Sequence, residues 1–216
     1  MHITNRSSAI LAAVALVAAL AAPGIASAAF VLDTGAPPAG STLGGVLDGN
    51  DFSAAEFTLS AGSTVTGIQA FVTQGFDQPG ATFTLAIYFA ADFGSRNSSP
   101  LFTTQATYGA DGWNGVSGLS WLTASSGQYW AAVEVGATDT AIGLALPAPA
   151  AGSGTVPAQA FAFNSGSGYT TTGANPFGIE VTATTPVPLP AAAWLLGSGI
   201  LGLGSRMRRR RLPVSA

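Results

Sequence analysis

Apolar and polar residues alternate along the middle of this chain with a period of two. Phe83, Leu85, Ile87 and Phe89 alternate with Thr82, Thr84, Ala86 and Tyr88. Tyr129, Ala131, Val133 and Val135 alternate with Trp130, Ala132 and Glu134, and Phe177, Ile179 and Val181 with Gly178, Glu180 and Thr182. Such alternation marks strands with one buried face. Shorter runs at 57–59, 65–72, 101–108, 119–123, 141–146 and 158–163 fit the same template. Turn residues separate them, as in Ala61-Gly62-Ser63, Gln78-Pro79-Gly80, Asp111-Gly112 and Ser125-Ser126-Gly127. No apolar stripe of helical period occurs in this region. Eight or nine short strands at this spacing predict an all-β domain over residues 29–181, an antiparallel β-sandwich that is jelly-roll-like. Residues 147–154 and 170–175 read as loops, and 182–186 as a linker.

The two ends carry another pattern. Residues 1–8 hold one arginine, Arg6, and no acid; 9–22 are unbroken Ala, Leu, Val and Ile. Pro23 and Gly24 break the run, and Ala26-Ser27-Ala28 offers small side chains to a peptidase. This is the pattern of a secretory signal peptide over residues 1–28, with a signal helix and cleavage directed by Ala26 and Ala28. At the other end, residues 189–205 are apolar and uncharged, followed by Arg206 and by Arg208, Arg209, Arg210 and Arg211. Seventeen residues of helix rise about 25 Å, near the lower limit for a transmembrane helix. The arginines read as a stop held in the cytoplasm by the positive-inside rule. Both ends predict one topology, with the domain outside and the tail inside.

These ends change the meaning of the overall charge of −3. Six of the seven arginines lie in the two end segments, and the sequence has no lysine. Arg96 alone faces ten acids in the domain, a net charge of −9. That surface repels a phosphate backbone, so no nucleic-acid partner is expected. Cysteine is absent, so an exported domain must be stable without disulfides.

The C-terminal segment resembles the PEP-CTERM class of sorting signals, in the variant that reads Val-Pro-Leu-Pro-Ala. The matching residues are Val187, Pro188, Leu189, Pro190 and Ala191, followed by the apolar helix with a glycine-rich second half and by the arginine cluster, together 187–211. The resemblance implies a Gram-negative bacterium that makes extracellular polysaccharide. It also implies an exosortase as partner, a membrane cysteine transpeptidase-like enzyme that cuts near the motif, and passage through the inner membrane to the cell surface. The motif lacks the glutamate of the commoner Val-Pro-Glu-Pro form, which alters the sorting enzyme expected, and residues 212–216 trail the arginines. Pro186, Pro188 and Pro190 join neither a helix interior nor a sheet ladder, so they hold the chain extended for a protease. The stretches 119–121 and 127–133 resemble the small β-sandwich modules often found ahead of such tails, to which no activity is attached.

Candidate chemistry in the domain is sparse. The single histidine, His2, lies in the signal. Without His, Cys or Lys, the domain has no serine–histidine or cysteine–histidine triad, no Schiff base, and no His- or Cys-ligated zinc or copper. Asp33-Thr34-Gly35 matches the aspartic-protease loop, which needs a second copy that the sequence lacks, and reads as a turn after the first strand. Asp48, Asn50, Asp51 and Glu56 offer hard oxygen donors for Ca²⁺ against a default reading as a solvated turn. Trp113, in the loop-like Gly112-Trp113-Asn114-Gly115, is the candidate for stacking on a sugar ring; Trp121, Trp130, Tyr108 and Tyr169 are further aromatics that more often fill a core. A glycosidase carboxylate pair requires only two acids, and no pair stands out. The expectation is an exported, exosortase-sorted, non-catalytic protein of the cell surface or extracellular matrix, linked to exopolysaccharide. The alternatives are a carbohydrate-binding adhesin and a secreted carboxylate-dependent hydrolase.

Overall fold

The three strictly alternating stretches fall on the strands Thr82–Phe89, Gly127–Glu134 and Ile179–Thr184. The computed structural model describes residues 27–41, 44–49, 51–75, 77–89, 99–150, 159–164, 169–171 and 176–186, with strand backbone alone for 51–52, 159–164 and 169–171. Among these residues there are twelve strands and no helix: β1 (Ala29–Asp33), β2 (Gly44–Leu47), β3 (Asp51–Leu59), β4 (Thr64–Val72), β5 (Thr82–Phe89), β6 (Phe102–Thr107), β7 (Gly112–Leu122), β8 (Gly127–Glu134), β9 (Leu144–Pro147), β10 (Gln159–Asn164), β11 (Tyr169–Thr171) and β12 (Ile179–Thr184). The fold is all-β, and every strand pairing is antiparallel.

A four-stranded sheet has the order β1-β12-β4-β7 and a six-stranded sheet the order β11-β10-β3-β8-β5-β6. The pairs β1–β12, β3–β8, β4–β7 and β5–β6 are nested in sequence, each inside or beside the last. A short β2–β9 ribbon joins the end of β4 through the bridge Thr73↔Ala145.

One buried cluster draws on both sheets. From the larger come Phe57 and Leu59, Phe83, Leu85 and Ile87, and Tyr129, Ala131 and Val133; from the smaller come Leu32, Val65, Ile68, Val72, Ile179 and Val181. These are the alternate positions along each strand, save in β4, where a register shift between Val65 and Gly67 keeps Val65 and Ile68 in one cluster, so the period of two underlies the layering. Removing such side chains from water stabilises the fold by about 1.5–3 kcal/mol each. Leu47, Leu144 and Leu146 of the short ribbon join this cluster.

The opposite face of the six-stranded sheet departs from simple alternation. Ala54, Ala132 and Ala86 are cross-strand neighbours and fully buried, and Tyr88 joins them with half-buried Trp130 alongside. Small side chains flanked by large ones are shielded even outside the main core. The sheet also extends beyond the expected domain boundary at residue 181, because β12 continues to Thr184. Thr182 pairs with Phe30 and Gly67, and Ala183 with Ala29 and Val65, so 182–184 belong to the sheet and not to a linker.

Candidate functional site

The Asp33-Thr34-Gly35 triplet is placed by the end of β1 and the turn that follows it. Asp33 ends β1, and its Oδ1 accepts the N–H of Gly35 at 2.8 Å, closing an Asx turn. Gly35 takes φ +88°, the left-handed region that favours glycine. Thr34 is buried; its hydroxyl donates to the Phe177 carbonyl at 2.8 Å and accepts the Ile179 N–H at 2.7 Å. The Asp-Thr-Gly triplet thus ties the first strand to the last.

Asp33 lies directly opposite Glu180 in the β1–β12 ladder. Burial first, and the Asp33 charge second, raise the Glu180 carboxyl above its ordinary value. Beside this pair, Asp33 and Glu56 line an open cleft of about 430 Å³ between β1 and β3, with Phe30, Leu32 and Phe57 on its walls. Two carboxylates on one cleft are the minimum for glycoside hydrolysis. Asp33, however, is engaged by the Gly35 N–H.

Trp113 is not on a loop. It lies in β7, paired with Phe71 of β4, half-buried, with the two rings edge to face at 5.5 Å. A Cβ at Gly178 would come within 3.4 Å of its ring. Gly112, Asn114 and Gly115 are turn formers, but the ladder to β4 overrides them. Asn114 also donates to the carbonyls of Ala110 and Gly112, both at 2.8 Å. Trp121 packs edge to face with Tyr129 at 6.0 Å at the rim of the core. Trp130, ranked behind Trp113 among the aromatics of the sequence, lies on the outer face of the six-stranded sheet in a cross-strand row Glu56–Trp130–Tyr88. Tyr88 donates to Glu134 at 2.9 Å on the same face. Even-numbered spacing along β8 carried that signal.

Of the calcium candidates, Asp51 and Glu56 are separated along one strand. Asp48 follows β2, Asp51 opens β3, and Glu56 stands five strand residues further on, about 17 Å along the backbone. Asn50 lies outside the described residues. Among the described residues no group of three acids clusters as a metal cage.

The remaining described acids hold loops together. Buried Asp77 accepts the N–H groups of Ile142 at 2.8 Å and Gly143 at 2.9 Å. Asp111 accepts from the Gln74 N–H at 2.8 Å and the Tyr108 hydroxyl at 2.6 Å. Burial, that hydrogen bond, and the charges of Asp111 and Asp77 push the Tyr108 phenol up to about 12. Asp139 accepts from Thr84 and Gly136, both at 2.7 Å, and from Gln105 at 3.0 Å.

Ala28, the residue before the expected cut, directly precedes β1. Ala26, the motif Val187–Ala191 and the arginines 206 and 208–211 lie outside the described residues. Among the described residues no helix is long and apolar enough to cross a membrane. No protein-family model matches the chain, and no curated protein is similar to it.

Proposed function

We propose that this chain is an exported, exosortase-sorted protein of a Gram-negative cell surface or extracellular matrix, non-catalytic and linked to exopolysaccharide. A jelly-roll-like β-sandwich is carried between a signal helix and a transmembrane helix. The observation that carries the reading is the order of the C-terminal parts: Val187-Pro188-Leu189-Pro190-Ala191, then the apolar run 189–205, then Arg206 and Arg208–Arg211. The nested pairing of β1–β12, β3–β8, β4–β7 and β5–β6 supports the jelly-roll winding. Loop-holding roles for Asp33, Asp77, Asp111 and Asp139 support a structural use of the acids over a catalytic one.

The test is expression of the full chain in a Gram-negative host with and without a cognate exosortase. Enzyme-dependent loss of the C-terminal segment, abolished in Pro188→Ala/Pro190→Ala, is the expected result. An intact chain in both hosts would remove the reading. A second reading, sugar binding, is favoured by the Glu56–Trp130–Tyr88 row. Retention on an exopolysaccharide column that falls at least tenfold in Trp130→Ala, or in Trp113→Ala, would establish it.

A further inference from the structure

The outer faces of the two sheets differ in what they leave open. On the six-stranded sheet, Ala54, Ala86 and Ala132 are fully buried and Tyr88 nearly so, with Trp130 packed against them. On the four-stranded sheet, Phe71, Trp113, Gln69, Glu180 and Thr182 are half-buried, and Gly115 and Ser117 are exposed. Ile68, Ala70, Val72, Ile179 and Val181 belong to the core, so Gln69, Phe71 and Glu180, which alternate with them, point to this outer face.

The strand register sets this face out in rows about 7 Å apart. One row is aromatic. Trp113 of β7 pairs with Phe71 of β4, and the Phe71 N–H donates to the carbonyl of Gly178, just before β12, at 2.8 Å. The Trp113 ring comes within 3.4 Å of the position that a Cβ on Gly178 would take. Gly178 stands two strands from Trp113, about 10 Å across the sheet. The indole therefore lies along the sheet, reaching over β4, and does not stand up from it. Phe71 meets it edge to face at 5.5 Å and fixes its plane. A Cβ at 178 would also stand 2.7 Å from the Phe71 Cβ, so glycine is what makes room for this aromatic pair.

The neighbouring row is polar. Asp33, Glu180, Gln69 and Gly115 are successive cross-strand partners over β1, β12, β4 and β7. Gly115 puts no side chain beside Gln69, where a Cβ would lie 3.0 Å from the Gln69 Cγ. Beyond this row the Thr66 hydroxyl donates to Thr182 Oγ1 at 3.1 Å. Among the described residues there is no lysine, arginine or histidine, so no described cation offsets the two carboxylates.

We propose that this face binds a neutral polysaccharide chain, with one sugar ring stacked on Trp113 and neighbouring hydroxyls bonded to Gln69 and Glu180. The inference rests on the sugar-binding reading above and assigns it to Trp113 in place of Trp130. The C–H face of a pyranose gains dispersion contact on an aromatic plane, and its hydroxyls donate to a carboxylate in charge-assisted bonds. A uronate or sulfated chain would instead be repelled by Asp33 and Glu180.

The full chain, solubilised in detergent, is depleted from solution with amorphous cellulose, curdlan and agarose as neutral probes and with alginate beads as the acidic one. At least one neutral probe should retain it more strongly than alginate does. Trp113→Ala should cut that retention at least tenfold and Gln69→Ala at least threefold, while Trp130→Ala stays within twofold. Should Trp113→Ala fail to fold, Gln69→Ala decides, since it removes a half-buried polar group from the surface. Retention on alginate as strong as on the neutral probes, or a loss in Trp130→Ala with Gln69→Ala unchanged, overturns this site and leaves sugar binding intact. No retention on any of the four overturns both.

Discussion

The two ends of the domain satisfy their backbone groups by different means. At the end between β4 and β5, the irregular segments 73–81 and 135–143 are held by carboxylates; Asp77 alone accepts two N–H groups, and Asp139 and Asp111 each accept from backbone and side chains. At the end where the chain leaves, two tight turns satisfy each other with neutral bonds: Gly62 N–H to Thr123 carbonyl, Thr123 N–H to Ser63 carbonyl, and the Thr123 hydroxyl to the Ser60 carbonyl at 3.0 Å. Long loops leave more donors without a partner than short turns do, and a carboxylate can accept several at once. The comparison teaches that, among the described residues, Asp77, Asp111 and Asp139 stand where irregular segments need acceptors, while the tight turns at the other end close on neutral groups.

The sharpest way to break this comparison is one substitution at each end. Asp77→Ala leaves the buried Gly143 N–H and the half-buried Ile142 N–H without their acceptor, and charge-assisted bonds are the stronger kind. A loss of about 3 kcal/mol is expected. Thr123→Val removes neutral hydroxyl bonds to Ser60 and Ser125, with an expected loss of about 1 kcal/mol. Urea unfolding with unchanged m-values measures both. Equal losses would mean that the carboxylates hold the loops no better than hydroxyls do.

Much of this arrangement is legible in the sequence, for reasons that differ by element. β5 is bounded correctly at both ends because its alternation is strict and its neighbours are turn formers. β2 and β11 escape notice because four and three residues are too few to show a period. The first half of β7 reads as a loop because Gly112, Asn114 and Gly115 favour turns locally, and only pairing to β4 makes them a strand. Trp113 is therefore singled out on a loop reading that the ladder overrides, while Trp130, named beside it among the aromatics, stands on the outer face. The roles of Asp77 and Asp139 are invisible in sequence, since their partners lie 65 and 55 residues away. The Asx turn at Asp33 was legible because its partner is two residues on.

A smaller effect sharpens the account of hydrogen-bond satisfaction. Ser53 is buried in β3 between Ala54 and Phe52, and its hydroxyl has no partner. Its burial loses hydration without return, as does that of the Ser63 hydroxyl. Ser53→Ala should raise stability by about 1 kcal/mol, seen as a higher urea midpoint. A loss instead would mean that the hydroxyl is satisfied by water within the fold.

The Asp33–Glu180 pair stands between the two ends, and its effect is the smallest. Like charges directly opposite in a ladder are unfavourable, and burial adds to the penalty on the Glu180 carboxylate. With its carboxyl raised in the folded state, the native protein holds this proton more tightly than the unfolded chain. Stability from this group is therefore present below the unfolded glutamate value, about 4.3, and is lost as pH rises through the higher folded value. Glu180→Gln should be more stable than the parent at pH 7, and that advantage should vanish toward pH 4. Asp33→Asn keeps the oxygen that accepts from Gly35 and removes only the charge. It should lower the Glu180 titration midpoint measured by NMR without returning it to the ordinary value, because burial is the larger cause. A midpoint unmoved by Asp33→Asn would mean that the pair does not interact, and the acidic part of the domain would then have no defined edge at β1.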